Sequence, residues 1–208
     1  MLLLKLQKSF FHKVYKYANI INIMLWLIIG VIAGIIILLA GLVVIYFNRF
    51  SVLSNRVDNG LAQIDVQLKK RADLVPNLVE SVKAYSKHER GAIKDVLASR
   101  QAMMSAPDLA GRVKAGTAMQ TALKSIFALA EQYPNLKANE NFLQLQQELS
   151  SIEDKVAYSR QYYNDSIFSY NTLCTTFPGT LFASIFNKQV KIYLEIPIEE
   201  RAVPKVSF

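Results

Sequence analysis

The feature that most constrains this chain is an uncharged apolar run that fills residues 24–47. As a helix with a rise of about 1.5 Å per residue, the run would span ~36 Å, enough to cross a hydrocarbon core of about 30 Å with some tilt. A cleavable secretory signal has a shorter apolar region, of about 7 to 15 residues, followed by a small-x-small site. Here the run ends in Tyr46 and Phe47, and Phe50 follows. The sequence therefore predicts an uncleaved transmembrane helix.

Positive charge is concentrated in the segment before this helix. The net charge of the chain is +8, and residues 1–23 contain Lys5, Lys8, Lys13 and Lys16 but no acidic residue. Such a basic tail suits anionic lipid headgroups and the signal that sets topology. No DNA- or RNA-binding motif accompanies the charge, so nucleic acid is not expected as a partner, whereas membrane lipid is.

After the transmembrane helix, apolar residues recur at intervals of three and four, which is typical of helices with one buried face. The fold class is predicted to be all-α, with residues 48–190 forming an antiparallel up-and-down bundle of three long helices with a kink, or of four. Arg71 interrupts the first apolar stripe, whose members are Val57, Leu61, Ile64, Leu68, Val75, Leu78, Val82 and Tyr85.

Pro76 lies within this stripe, and two structures are compatible with it. The stripe keeps its phase across Pro76, as in a kinked helix, because proline removes one backbone donor and clashes with the preceding turn. An unbroken helix from residue 50 to about residue 105 would be ~84 Å long, too long for a later helix to cover. Asp73 could instead cap a new helix with Pro76 in its first turn. We therefore favour a break over a kink, with Pro76 structural in either case.

Two further long helices are predicted in the bundle. Pro107, Gly111 and Gly116 indicate an interruption before a helix over residues 118–131. Asn139 opens a longer helix that ends near Thr172, with its charged residues on the solvent-facing sides.

The chain is predicted to close with a short amphipathic helix and an extended tail. Five large apolar residues fall within residues 177–186, and we favour a helix that closes one end of the bundle over an interfacial element that touches lipid. Residues 191–208 alternate only briefly and contain two prolines, so an extended tail is expected.

Two blocks of the sequence resemble the bacterial LemA family. The first is NRVDNGLAQIDVQLKKRADLVPNLVESVKAYSKHE, residues 55–89, and the second is YPNLKANENFLQLQQELSSIEDKVAYSRQYYNDSIFSYNTLCTTFPG, residues 133–179. Both occur in order behind one apolar helix, and the likeness is expected to cover about residues 24–196. The tail before Met24 is longer and more basic than is usual in the family, and no counterpart is expected after Pro197.

The resemblance implies a membrane-anchored antiparallel helical bundle and supplies no catalytic residues. It also implies that Asp73, Pro76 and Asn77, in DLVPN, belong to a family motif. This agrees with the structural role argued for Pro76 from the residues alone.

The residues themselves offer little chemistry for catalysis. His12 lies in the basic tail and His88 in KHER, without the paired ligands of a hydrolytic zinc site, and no phosphate-binding glycine motif occurs. Cys174 is the single cysteine, which excludes an intramolecular disulfide and favours a packing role. We therefore expect no enzyme activity, no catalytic or metal-binding residues and no cofactor.

Two classes of function remain. One is a membrane-tethered scaffold or adaptor that recruits a protein partner; an exposed aromatic patch involving Tyr158, Tyr162 and Tyr163 would favour it. The other is an envelope stress or membrane-remodelling component that acts on lipid; apolar surface confined to the membrane-proximal end would favour it.

The transmembrane helix offers a further prediction of weak self-association. Gly30 and Gly34 form a GxxxG pattern, and Gly41 lies one heptad further on, so two helices could approach closely along this stripe. The alternative is that glycine is simply frequent in membrane helices.

Orientation follows from the basic residues that flank the span. Four lysines precede it, and Arg49 and Arg56 follow it, which places the amino terminus inside and the bundle outside the bacterial inner membrane. A translation start at Met24 would remove the basic tail and reverse this prediction.

Overall fold

The computed structural model describes residues 2–85 and 89–194, and over these residues the protein is helical and contains no strand. The all-α prediction is therefore confirmed. The predicted tail falls largely on residues 195–208 and His88 on the gap after Tyr85, so both lie outside the described residues. The helices are α1 (Leu2–Tyr85), α2 (Arg90–Ser105), α3 (Leu109–Ala130), α4 (Pro134–Lys137), α5 (Glu140–Thr175) and α6 (Gly179–Ile185).

Helix α1 joins the apolar run to the bundle without interruption. It contains a segment long and apolar enough to cross a membrane, and no part of the most apolar window is buried within the protein. The same helix continues from residue 48 to Tyr85 with one face in the bundle core. The apolar run and the bundle are thus coupled by a continuous helical backbone.

The favoured prediction of a break at Pro76 is wrong, because Pro76 lies inside α1. A proline at this position leaves the carbonyl of Ala72, four residues earlier, without its helical donor. Arg100 of α2 replaces that donor: its Nε lies 2.9 Å from the Ala72 carbonyl oxygen. Asp73 is not a helix cap but pairs with Lys69 one turn earlier, at 3.0 Å. No break at Pro76 is needed to limit the length of the helix, because α1 ends at Tyr85, well before residue 105.

The bundle has four helices that alternate in direction: α1, α2, α3 and α5. The end of the bundle next to the apolar run is called the lower end. Helices α1 and α5 pair along their length, with Phe50 against Tyr170 at the lower end and Arg71 near Glu153 further up. The shorter α2 and α3 pack on each other and on the upper part of α1. The predicted up-and-down bundle is confirmed in its four-helix form.

Local sequence sets the starts of α3 and α5. Asp108 caps α3 by accepting a hydrogen bond from the Gly111 amide at 2.7 Å, and Asn139 caps α5 by accepting one from the Phe142 amide at 3.0 Å. The predicted interruption at Gly111 and Gly116 is wrong, since both lie inside α3. A Cβ on Gly116 would lie 2.8 Å from a Leu68 methyl group, so this glycine allows α3 to approach α1 closely.

Two hydrophobic clusters stabilise the bundle, and Tyr163 of α5 contacts both. The upper cluster is formed by all four bundle helices and by Leu136 of α4. The lower cluster joins α1, α5 and α6, and its buried members are Phe50, Leu53, Val57, Ile167, Tyr170, Leu173, Cys174, Phe182 and Ala183. Helix α6 therefore closes the lower end of the bundle, as the favoured prediction for residues 177–186 required.

Candidate functional site

A groove of about 380 Å³ lies between α5 and the upper parts of α1 and α3. One face of α5 forms its floor, and Arg71 of α1 and Gln120 of α3 stand on the other side. The remaining lining residues are Glu153, Val156, Ala157, Arg160, Gln161, Asn164, Asp165 and Leu194. Two arginines and two carboxylates line the groove, so its wall is charged but nearly balanced.

Arg71 is the most unusual residue of the groove, because its side chain is only 2% exposed. Its Nη1 donates to the Gly116 carbonyl oxygen at 3.5 Å, and its Nη2 lies 3.9 Å from the Glu153 carboxylate. Burial lowers the pKa of the guanidinium from its ordinary value; Glu153 acts in the opposite direction, and the nearby Arg160 lowers the pKa further. Both contacts are long for charge-assisted hydrogen bonds. Arg71 therefore places a buried, weakly neutralised positive charge at the groove wall.

The chain itself lies along α5 at the mouth of this groove. We call residues 191–194 the strap. Asn171 donates from Nδ2 to the Lys191 carbonyl oxygen and accepts from the Lys191 amide, both at 2.8 Å. Asn164 makes the same pair of bonds with Leu194, at 3.1 and 3.0 Å. Each asparagine thus makes, with one residue of the strap, the pair of main-chain hydrogen bonds that a neighbouring β-strand would make.

The spacing of the two asparagines matches an extended chain. Asn164 and Asn171 are seven residues apart on α5, about 10.5 Å along a helix. Lys191 and Leu194 are three residues apart, which is about 10 Å in an extended chain. The strap runs antiparallel to α5, and Leu194 brings it to the groove. The spacing of the two asparagines therefore fits an extended backbone.

The predicted motif residues lie away from this groove. Asp73, Pro76 and Asn77 are exposed on α1, and within this motif Pro76 has the clearest structural role, through Ala72 and Arg100.

The stripe of Gly30, Gly34 and Gly41 faces open space, because no atom of the described residues comes within 4 Å of a Cβ placed at any of them. This leaves room for a second helix, and self-association stays a prediction.

The three tyrosines whose exposure together would favour an adaptor do not form an exposed patch. Tyr163 packs into both clusters, and Tyr162 is half-buried, which leaves Tyr158 as the exposed member of the three. Cys174 is buried in the lower cluster, where burial raises the pKa of its thiol; Tyr170 and Lys188 oppose that shift. This agrees with the packing role expected for Cys174. Among the described residues, no three His, Cys, Asp or Glu side chains converge as metal ligands would.

The groove is not among the sites predicted from the sequence, although two signals of it are present there. Arg71 interrupts the apolar stripe, and a charged residue at a position predicted to be buried marks a polar site within a core. Asn164 and Asn171 lie two helical turns apart on one face, but the spacing gains meaning only once the strap is seen beside it.

Comparison with known proteins places the chain in a family. The model of the LemA family matches residues 60–208, well over half of the chain. The chain belongs to the LemA family. The expected extent of the likeness was wrong at its end, because the LemA match continues beyond Pro197 to Phe208.

A curated relative shares part of this LemA sequence. The magnetosome protein MamQ of Magnetospirillum gryphiswaldense is 31% identical over 77 residues, which is 36% of this chain and 28% of MamQ. The match thus spans less than a third of the length of that relative.

Proposed function

We propose that this LemA protein is a non-catalytic scaffold of the bacterial inner membrane, anchored by α1, that holds an extended segment of a partner protein along α5. The observation that carries the proposal is the pair of asparagine clamps formed by Asn164 and Asn171 on the strap. Their bonds go to main-chain atoms alone, so they recognise an extended backbone without regard to its sequence.

The strap shows how such a segment would be held and why it can be replaced. Ile192, between the two clamped residues, is 89% exposed, so its side chain contributes little to holding the strap. The clamps need only an amide and a carbonyl, which any residue other than proline provides. Leu194 packs against the upper cluster and Lys191 lies over the Tyr170 ring, so a partner segment that takes the place of the strap must make better side-chain contacts than these two.

Arg71 gives the groove a preference among such segments. A carboxylate of the partner would complete the coordination of a guanidinium whose present contacts are at 3.5 and 3.9 Å. We infer an acidic residue in the partner, positioned beyond the part of its backbone that the asparagines hold.

The anchor and the bundle are joined by one helix, which suits a scaffold. Because α1 continues from the apolar run into the core, a segment bound to α5 would be held at a fixed height above the membrane. We place the bundle on the extracytoplasmic side, on the basis of the four lysines that precede the span.

A lipid-acting envelope component is the second candidate. It is favoured by the exposed apolar side chains of the lower end, among them Phe177 and Ile185. The two functions differ in which surface is needed: the groove for a protein partner, the lower end for lipid.

Photo-crosslinking in intact membranes tests the scaffold. A crosslinkable amino acid replaces Gln161, which is exposed and lines the groove, or Tyr158, which is exposed one turn earlier on the same helix and lies outside the groove lining. We expect a protein adduct from position 161 but not from position 158, and loss of that adduct in the Arg71→Gln background. Adducts of position 161 with the chain's own C-terminal residues alone, or equal adducts at both positions, would contradict the proposal.

A further inference from the structure

Helix α6 lies beside the point where the apolar run of α1 ends. The Phe182 ring stacks on Tyr46 with the ring centres 4.4 Å apart, and the Phe186 ring meets Phe47 edge-on at 5.5 Å. Tyr46 and Phe47 are the last residues of the uncharged run. If that run crosses a membrane, α6 lies at the level of the membrane surface.

The opposite side of this helix is apolar and exposed among the described residues. Leu181 and Ile185, one turn apart, are 54% and 69% exposed, and Phe177, just before the helix, is 80% exposed. We call these three residues the foot. Inward-facing residues are sufficient to close the bundle, because Phe182 and Ala183 are buried in the lower cluster. Within the described part of the chain, the three side chains of the foot belong to neither hydrophobic cluster.

The charges around the foot are basic. Residues 166–194 contain no Asp or Glu, but they contain Lys188 and Lys191, and Arg49 and Arg56 follow the apolar run on α1. Lys191 lies over the Tyr170 ring, 5.3 Å from its centre. Aromatic residues and lysines in this arrangement are typical of the interface between headgroups and acyl chains.

We propose that the foot inserts into the bilayer interface, with its apolar side chains among the upper acyl chains and Lys188 and Lys191 at anionic headgroups. The bundle is then held on the membrane at two points, α1 and α6. This inference rests on the membrane anchor of the proposed function and goes beyond it, since the groove needs no contact with lipid.

Tryptophan quenching by brominated lipids tests the foot in the full chain. The protein has one tryptophan, Trp26, near the amino-terminal end of the apolar run, so Trp26→Phe provides a background without tryptophan. Leu181→Trp then reports on the foot, and Tyr158→Trp, at an exposed site on the upper part of α5, is the matched control. Each protein is reconstituted in vesicles of phosphatidylcholine with or without phosphatidylglycerol, and Ile185→Trp replaces Leu181→Trp if circular dichroism shows misfolding.

We expect at least twofold stronger quenching of Leu181→Trp than of Tyr158→Trp, with a further increase in vesicles that contain phosphatidylglycerol. If Leu181→Trp is quenched no more than Tyr158→Trp, the foot does not insert. If the quenching of Leu181→Trp does not depend on phosphatidylglycerol, or does not change when Lys188→Gln and Lys191→Gln are added, the lysines do not contribute. The wild-type protein separates the two proposals: unquenched Trp26 would refute the anchor, whereas quenched Trp26 with an unquenched Leu181→Trp refutes only the foot.

A second copy of the chain is the other candidate to cover the foot. A disulfide between two Leu181→Cys chains in the Cys174→Ala background, formed in vesicles without loss of helix content, would show a protein partner there. That result would also overturn lipid insertion.

Discussion

At the scale of single residues, a proline and an arginine from different helices form one structural unit. Pro76 cannot donate a hydrogen bond to Ala72, and Arg100 of α2 does so instead. The Ala72 residue is fully buried, so water cannot replace the missing donor. This explains how a proline is tolerated inside a long helix and why it helps to fix the position of α2 on α1.

We predict that Arg100→Met destabilises the bundle by about 1 to 3 kcal/mol, the range for leaving a buried polar group unsatisfied. In the Pro76→Ala background the alanine amide can bond to Ala72, so the cost of Arg100→Met should fall by about half or more. Urea unfolding in detergent micelles, followed by circular dichroism, measures the four proteins of the cycle. Additive effects would refute the coupling, and Arg90→Met, at an exposed site of the same helix, should change the stability by less than about 0.5 kcal/mol.

Gly179 is the second residue whose replacement should be costly. A Cβ at this position would lie 2.1 Å from the Leu173 carbonyl oxygen, so the turn from α5 into α6 must open to admit it. We expect Gly179→Ala to cost about 2 kcal/mol or more and to expose Cys174 to thiol reagents, because the lower cluster loses α6. Gly91→Ala, in α2 with open space around it, should be neutral or stabilising. Equal stability and unchanged thiol labelling in both variants would refute this account.

At the scale of elements, periodicity identified the existence of the helices but not where they begin and end. The stripe from Val57 to Tyr85 and the long helix after Asn139 follow from apolar spacing alone, because one buried face requires it. Pro76 and Gly116 are tolerated inside helices for tertiary reasons, a donor from α2 and close contact with α1, which the local sequence does not reveal. Gly111 lies in the first turn of α3, where its amide donates to the Asp108 cap. Likewise, the groove depends on Arg71, Glu153 and the strap, which are far apart in sequence.

The strap gives a prediction at this scale. Asn164→Ala with Asn171→Ala removes four hydrogen bonds to the strap without altering the core. We expect the amides of Lys191 and Leu194 to exchange with deuterium at least tenfold faster, while the melting of the bundle changes little. Asn77→Ala, at an exposed position of α1, is the control. Unchanged protection of the two amides would show that other contacts hold the strap.

At the scale of the whole molecule, the lower cluster should make stability sensitive to alkaline pH. Burial raises the pKa of the Cys174 thiol above its ordinary 9.0, and burial and then Cys174 raise that of Tyr170 above 10.0. The unfolded chain therefore loses these protons at lower pH than the folded chain, so the free energy of unfolding should fall as pH rises above about 9. Cys174→Ala should flatten this decline in urea unfolding, whereas the neighbouring Thr175→Ala should leave its slope unchanged. If the free energy of unfolding falls with pH at the same rate in the wild type and both variants, Cys174 is not the cause of the decline.

Orientation is the other property of the whole molecule that the sequence predicts. Lys5, Lys8, Lys13 and Lys16 precede the span, whereas Arg49 and Arg56 follow it within the range that sets topology. The next basic residue, Lys69, lies 22 residues beyond Phe47 on the same helix, ~33 Å away and far outside a Debye length of about 8 Å. The bundle should therefore be extracytoplasmic.

Protease treatment of spheroplasts carrying a tag after Phe208 measures this orientation. We expect the tag to be removed from intact spheroplasts. We expect it to be protected when the four lysines before the span are changed to glutamine, because two arginines then follow the span and no lysine or arginine precedes it. A tag protected in the unaltered protein would place the bundle in the cytoplasm. The groove of α5 would then face cytoplasmic proteins, and the search for its partner would move to that compartment.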